Sequence, residues 1–138
     1  MLHYMLDTDI VIYTMKARPD HLRKTFNARA PQLCLSTITL AELMYGAQRS
    51  SQPDTNLETI EGFCARLEVL EFDANAAWHA GQIRAELARN GTPIGPFDEQ
   101  IAGHARAHGF ILVTNNLRHF QQVPGLRVEN WIDPNRTE

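Results

Sequence analysis

The sequence predicts an α/β domain with a mainly parallel central β-sheet flanked by α-helices. Three observations carry that expectation. Short apolar runs alternate with longer segments of helical periodicity, the order of βαβ units. The run "FILVTNN" at 110–116 is almost wholly apolar until its end, as suits a strand covered on both faces. The polar residues that break the apolar runs fall where such strands should stop. At 138 residues the chain is expected to form a single domain, 1–138, with room for a proper core.

Taken in order, residues 2–7 read as the first strand, and "DIVIYTMKARP" as a short helix that ends before Pro19. "HLRKTFNARA" is a second, more polar helix, and "LCLST" at 33–37 a buried strand ending in hydroxyls. Ser36, Thr37 or Thr39 can cap the helix "TLAELMYGAQRS". There Leu40, Leu43, Met44 and Ala47 follow the i, i+3, i+4, i+7 spacing, and Glu42 lies at the flank of that stripe. Residues 56–67 form another helix and 68–72 a short strand. "ANAAWHAGQIRAELARNG" is a long helix stopped by Gly91. "TPIGPFD" is a loop, and "DEQIAGHARAHG" a helix from Asp98 to Gly109, with Asp98 well suited to cap it. A helical turn in "LRHFQQV" and a last strand in "LRVEN" complete the chain.

Composition narrows the classes. A hydrophobic fraction of 43% with 21% charged residues is that of an ordinary globular protein. No apolar run approaches the roughly 20 residues that span a bilayer, and the start lacks a basic leader, so a cytoplasmic protein with no membrane partner is expected. Cys34 and Cys64 form no CxxC and read as reduced core thiols. A net charge of −3 argues against a general nucleic-acid coat protein. It is compatible with an enzyme whose acids gather in a pocket and whose arginines line the rim. Apart from Lys16 and Lys24 the basic residues are all arginines, which suit bidentate phosphate contacts; Arg49, Arg84, Arg89 and Arg118 are rim candidates that nothing local ranks.

In open parallel sheets ligands bind beyond the carboxyl ends of the strands. Asp7 ends the first strand, Ser36 and Thr37 the second, and Thr114, Asn115 and Asn116 the long apolar one. Glu42 and Asp98, early in their helices, reach the same edge. Asp7, Glu42, Asp98 and Asn116 then form the candidate catalytic set. Three carboxylates in one pocket cannot all stay ionised without a counter-charge. An all-oxygen donor set favours Mg²⁺, with Mn²⁺ able to substitute, over zinc. Such an ion polarises a phosphoryl oxygen and activates a water for in-line attack. Each acid alone is ordinarily a helix cap or surface charge; the case rests on their convergence. Asp9 has two readings, of which the cap of the first helix is favoured over an acid standing behind the ligands.

The blocks "MLDTDIVIY", "STITLAELMYGA", "IGPFDEQIAGHARAHG" and "LVTNNLRHFQQVPGLRVENW" occur in the order and spacing of PIN-domain proteins. Together they resemble most closely the VapC-type ribonuclease toxins of bacterial toxin–antitoxin pairs, over essentially the whole chain. The resemblance implies metal-binding aspartates at Asp7 and Asp98, a site glutamate at Glu42, and a last position, often Asp, occupied here by Asn116. Asn116 carries no charge, so it offers only a neutral oxygen or a hydrogen bond, with Thr114 supporting it. The resemblance further implies a Mg²⁺-dependent endoribonuclease acting on structured RNA, with tRNA anticodon loops prominent and initiator tRNA the guess among targets. It implies a cognate VapB-type antitoxin, a homodimer, and contact with DNA only through the antitoxin.

Two other classes set the contrast. A catalytically inactive RNA-binding or protein-interaction module of the same fold has no use for acids that repel phosphate. A DxD aspartyl-phosphatase using Asp7 and Asp9 needs a downstream lysine, and both lysines lie directly behind the motif. His104 and His108, one helical turn apart, have the spacing of zinc ligands. No third ligand accompanies them, and a solvated basic helix face is expected instead.

Overall fold

A computed structural model describes residues 1–132. Five parallel strands form one sheet in the order β3-β2-β1-β4-β5. They are β1 (Tyr4–Leu6), β2 (Leu33–Ser36), β3 (Glu68–Leu70), β4 (Ile111–Val113) and β5 (Val128–Glu129). The helices are α1 (Thr8–Met15), α2 (Asp20–Arg29), α3 (Thr37–Arg49), α4 (Pro53–Cys64), α5 (Ala74–Arg89), α6 (Pro96–His108) and the short α7 (Leu117–Phe120). The expected α/β class and parallel sheet are therefore what the chain adopts. The last residues of the expected 1–138 domain lie outside the described part.

The sheet is buried on both faces, and the period-two alternation of its strands sorts the core into two layers. Leu6, Leu35 and Val113 pack with Ile10, Leu22, Phe26 and Leu43 on one side. Met5, Cys34 and Leu112 pack with Ile83, Leu87 and Ile101 on the other. The two thiols lie in these layers as the sequence suggested, Cys34 buried and Cys64 partly so. Burial, with Glu68 adding to it, pushes the Cys34 thiol up to about 12, so it stays protonated.

α5 and α6 make the closest helix pair. A Cβ built on Gly103 would stand 2.5 Å from the backbone nitrogen of Ala80 and 2.6 Å from its Cα. Only glycine permits that approach. α6 ends where the sequence says, at Gly109 in the left-handed conformation (φ 72°), whose N–H bonds to the Ala105 and Arg106 carbonyls.

The strands are shorter than expected because their polar ends turn into helix starts. Asp7 leaves β1 and caps α1, and its carboxylate accepts from Thr8 N. Ser36 ends β2 and caps α3, its hydroxyl accepting from Ile38 N. Backbone pairing still extends to these ends, since Asp7 N donates to Val113 O and Thr114 N to Glu129 O, both at 2.9 Å. Three expectations are corrected. Asp9 does not cap α1; Asp7 does, and Asp9 sits in the first turn. Asp98 does not cap α6, which opens two residues earlier at Pro96 behind Gly95 (φ 102°), because proline is pre-set for a first helical position. "TPIGPFD" is accordingly only partly a loop.

Candidate active site

Every strand of a parallel sheet points its carboxyl end to the same edge, and β1 lies at the centre, between β2 and β4. Asp7 therefore emerges at the middle of that edge. It is 5% exposed. One carboxylate oxygen accepts from Thr8 N and the other from Thr114 Oγ1, both at 2.8 Å. Thr114 Oγ1 also accepts from Asn116 N at 2.9 Å, so one hydroxyl links the ends of β1 and β4. That linkage is the support for Asn116 expected of Thr114.

Asp9, in the first turn of α1, accepts at Oδ2 from Asn115 N at 3.1 Å. Its Oδ1 is buried with no hydrogen-bond partner. Asp9 is thus an acid of the site, the less favoured of its two readings, and it ties α1 to the loop after β4. Glu42 arrives from α3, where its Oε1 accepts from Thr8 Oγ1 at 2.8 Å. Asp98 arrives from the first turn of α6, where the helix dipole favours negative charge. His119 Nδ1 lies 3.9 Å from Asp98 Oδ2 and 2.9 Å from Asn116 Nδ2.

The electrostatics confirm that these groups crowd one another. Burial, then the charges of Asp9 and Asp98, hold the Asp7 carboxyl well above the usual carboxylate range despite the hydrogen bonds from Thr114 and Thr8. Asp98 is pushed up to about 6, first by burial and next by Glu42, with Asp9 adding and His119 opposing. Asp9 is raised by burial, against the lowering effect of the Asn115 N–H. Among the described residues no arginine or lysine forms an ion pair with any of these four acids. A pocket of oxygen donors with one orphaned buried oxygen and no resident cation is chemically suited to a hard divalent ion. No three acidic or imidazole groups among the described residues close into a ready chelate.

The structure thus gathers Asp7, Glu42, Asp98 and Asn116 at one edge, and adds Thr8, Asp9 and His119. Thr8 and His119 escaped the sequence reading. Thr8 carries no signal beyond adjacency to Asp7. The Asn-x-x-His spacing from Asn116 to His119 places both on one side of a helical turn, which is a legible signal.

The other histidine pair departs from expectation. His104 is fully buried, not solvated, and its Nδ1 shares a 2.8 Å hydrogen bond with Ser36 Oγ. Burial, and the neighbouring His108, lower it to about 4, so it is neutral. His108 is exposed and pairs with Asp73 at 3.4 Å. The two therefore have different partners, Ser36 for His104 and Asp73 for His108. The rim arginines can now be separated. Arg84 lies 3.9 Å from the buried Glu99. Arg49 stacks over Tyr45, its guanidinium 5.5 Å from the ring centroid.

Comparison with known proteins agrees with this fold. The family model "PIN domain" matches residues 4–126. The tRNA(fMet)-specific endonuclease VapC of Salmonella typhimurium is 56% identical over 131 residues, 95% of this chain and 99% of that protein. Ribonuclease VapC2 of Haemophilus influenzae is 51% identical over 132 residues, 96% of this chain and 100% of that protein. The crystal structure of DNA-bound VapBC from Salmonella typhimurium superposes with a TM-score of 0.91 at 56% identity, covering 95% of this chain and 99% of that one. The fold is that of a PIN domain, and the chain belongs to that family. Within it, the chain is one of the VapC ribonucleases of toxin–antitoxin pairs.

Proposed function

We propose that the protein is a Mg²⁺-dependent endoribonuclease toxin, active on initiator tRNA in the cytoplasm and silenced by a VapB-type antitoxin. The observation that carries the metal dependence is the set of four crowded carboxylates with no arginine or lysine paired to them. Asp7 and Asp98 hold the ion, with Mn²⁺ able to take its place, and Glu42 completes the site directly or through water. When bound, the ion supplies charge for the phosphoryl oxygens and acidifies a water. The chain's own groups position what surrounds it. Thr114 and the Thr8 N–H fix both oxygens of Asp7. Thr8 Oγ1 fixes Glu42. Asn116, held by Thr114 and facing His119, orients water or the substrate phosphate.

The choice of substrate is supported by the Salmonella relative, whose name specifies tRNA(fMet), at 56% identity over nearly the whole chain. The antitoxin and its DNA contact are supported by the DNA-bound VapBC complex of the same organism. The protein acts, in this proposal, as a homodimer.

The test is incubation of purified protein with initiator tRNA in Mg²⁺, in Mn²⁺ and in EDTA, followed by sequencing of the RNA ends. Cleavage at one position, lost in EDTA, is expected. Asp7→Asn or Asp98→Asn should abolish it while the protein stays folded. Undiminished cleavage by a well-folded Asp7→Asn protein, or in EDTA, would sink the metal-centred reading.

A further inference from the structure

A cleft of about 450 Å³ adjoins the acids, lined by Thr8, Ala41, Glu42, Tyr45 and Phe97. Two of its walls are aromatic and unusually open. Tyr45 is 63% exposed and Phe97 57%, whereas Phe26 and Phe120 are almost wholly buried. Single exposed aromatics need no explanation, but two that flank one cleft beside a reactive centre do. Tyr45 follows Glu42 by one helical turn on α3, and Phe97 directly precedes Asp98 on α6. Both rings are therefore placed by the helices that place the acids.

Building on the ribonuclease reading above, we infer that this cleft is a nucleobase subsite, in which Tyr45 and Phe97 receive an unstacked base next to the scissile phosphate. The chemistry of the walls supports a base over an aliphatic side chain. Unpaired bases are taken up by stacking on aromatic rings, and every base has such a face. Glu42 and Thr8 give the cleft a polar end that can hydrogen-bond a base edge, which a purely apolar occupant would leave unmatched. Arg49 donates to Tyr45 Oη at 2.9 Å and stacks over the same ring. It fixes the tyrosine and brings positive charge for the backbone phosphate of the bound nucleotide. The cleft shares Thr8 and Glu42 with the acidic site, so its occupant lies within a nucleotide of the reacting bond.

The test uses the anticodon stem–loop of initiator tRNA, with each loop nucleotide in turn replaced by an abasic one. Affinity is measured in EDTA by fluorescence anisotropy, so no cleavage step enters. Tyr45→Ala and Phe97→Ala should each weaken binding of the intact loop by about tenfold, the scale of one lost stacking contact. Tyr45→Phe should bind nearly as the unaltered protein does. One abasic position should cost the unaltered protein a similar factor and cost Tyr45→Ala nothing more. Both side chains are exposed, so circular dichroism should show the fold unchanged. If both alanine variants bind the loop as tightly as the unaltered protein, the subsite is wrong, though Mg²⁺-dependent cleavage by the unaltered protein would leave the ribonuclease reading standing. A loss that is equal for every abasic RNA, or that affects only antitoxin binding, overturns the subsite as well. If the unaltered protein neither binds nor cleaves the stem–loop or the whole tRNA, the ribonuclease reading falls and the subsite with it.

Discussion

Asp98 and His104 lie on one helix and titrate with opposite consequences. Asp98 has a folded value of about 6, above its usual 3.8. Between those values the folded state holds more protons than the unfolded chain. The stability it contributes is full below about pH 4 and is lost as pH rises to about 6. Asp7, also raised, acts in the same direction. His104, lowered from 6.5 to about 4, does the reverse, since its contribution is present above pH 6.5 and lost as pH falls toward 4. In metal-free protein His104 therefore opposes the slopes of Asp98 and Asp7 across that window. Asp98→Asn removes one of them, so chemical denaturation in EDTA should show stability rising from pH 4 to 6.5 more steeply than in the unaltered protein. A shallower rise would contradict the crowding at Asp98. Asp9→Asn keeps an acceptor for the Asn115 N–H and removes a charge beside Asp7. Its metal-free melting temperature should hold or rise, while Mg²⁺ should raise it by less than it raises that of the unaltered protein. Asn116→Asp adds a carboxylate of nearly the same shape, and Mn²⁺ titration calorimetry should report tighter binding.

At the scale of elements, two contacts set where the acid-bearing helices sit. Gly103 lets α6 rest on the backbone of α5 at Ala80. Gly103→Ala gains roughly 1 kcal/mol of helix propensity. It forces apart two backbones that cannot yield locally, a cost of about 1–3 kcal/mol or more. Net destabilisation is expected in urea unfolding. Ser36 both caps α3 and pairs with buried His104. Ser36→Ala loses a cap worth about 1 kcal/mol and strands an imidazole nitrogen at a further cost of about 1–3 kcal/mol. A loss below about 1 kcal/mol by denaturant titration would show that neither bond matters. The sequence made the helices legible through their periodicity and their stops. It did not reveal what lies between them. Gly103 reads as a mere weak point in a helix until α5 is beside it. His104 reads as solvated because its neighbour His108 is, and because its partner Ser36 lies far away in the chain. Asp9 reads as the cap because both acids of "DTD" fit that role locally; the Thr8 N–H on Asp7 and the reach of Asn115 N from the loop after β4 to Asp9 distinguish them. Asp7 and Asn116 are legible because parallel strands end at one edge, and Glu42 and Asp98 because they lie early in helices that start from it.

For the molecule as a whole, a net-acidic protein must hold a polyanion. The acids repel phosphate until a cation sits among them, so metal-free affinity comes from arginines and stacking. Each phosphate contact should contribute about −0.7 to the slope of log affinity against log salt for single-stranded RNA. Arg49→Gln should weaken binding of the anticodon stem–loop and flatten that slope, leaving Mg²⁺ affinity unchanged. Asp98→Asn should lose Mg²⁺ affinity and keep or improve metal-free RNA binding. If it instead lost RNA binding while folded, Asp98 would be touching RNA itself. The described residues include no helix long and apolar enough to cross a membrane.

The central place of β1 has a further meaning for the order in which the chain is made. Asp7, Asp9 and Glu42 leave the ribosome early, yet β1 gains its second neighbour, β4, only when the chain has grown past Val113. Thr114, which grips Asp7, and Asn116 come later still. A nascent chain that has emerged as far as Gly95 carries three of the four acids and none of the α6 and β4 groups that complete them. The nuclease therefore cannot attack RNA at its own site of synthesis until its translation is nearly finished. An antitoxin made beforehand has that whole interval in which to be waiting.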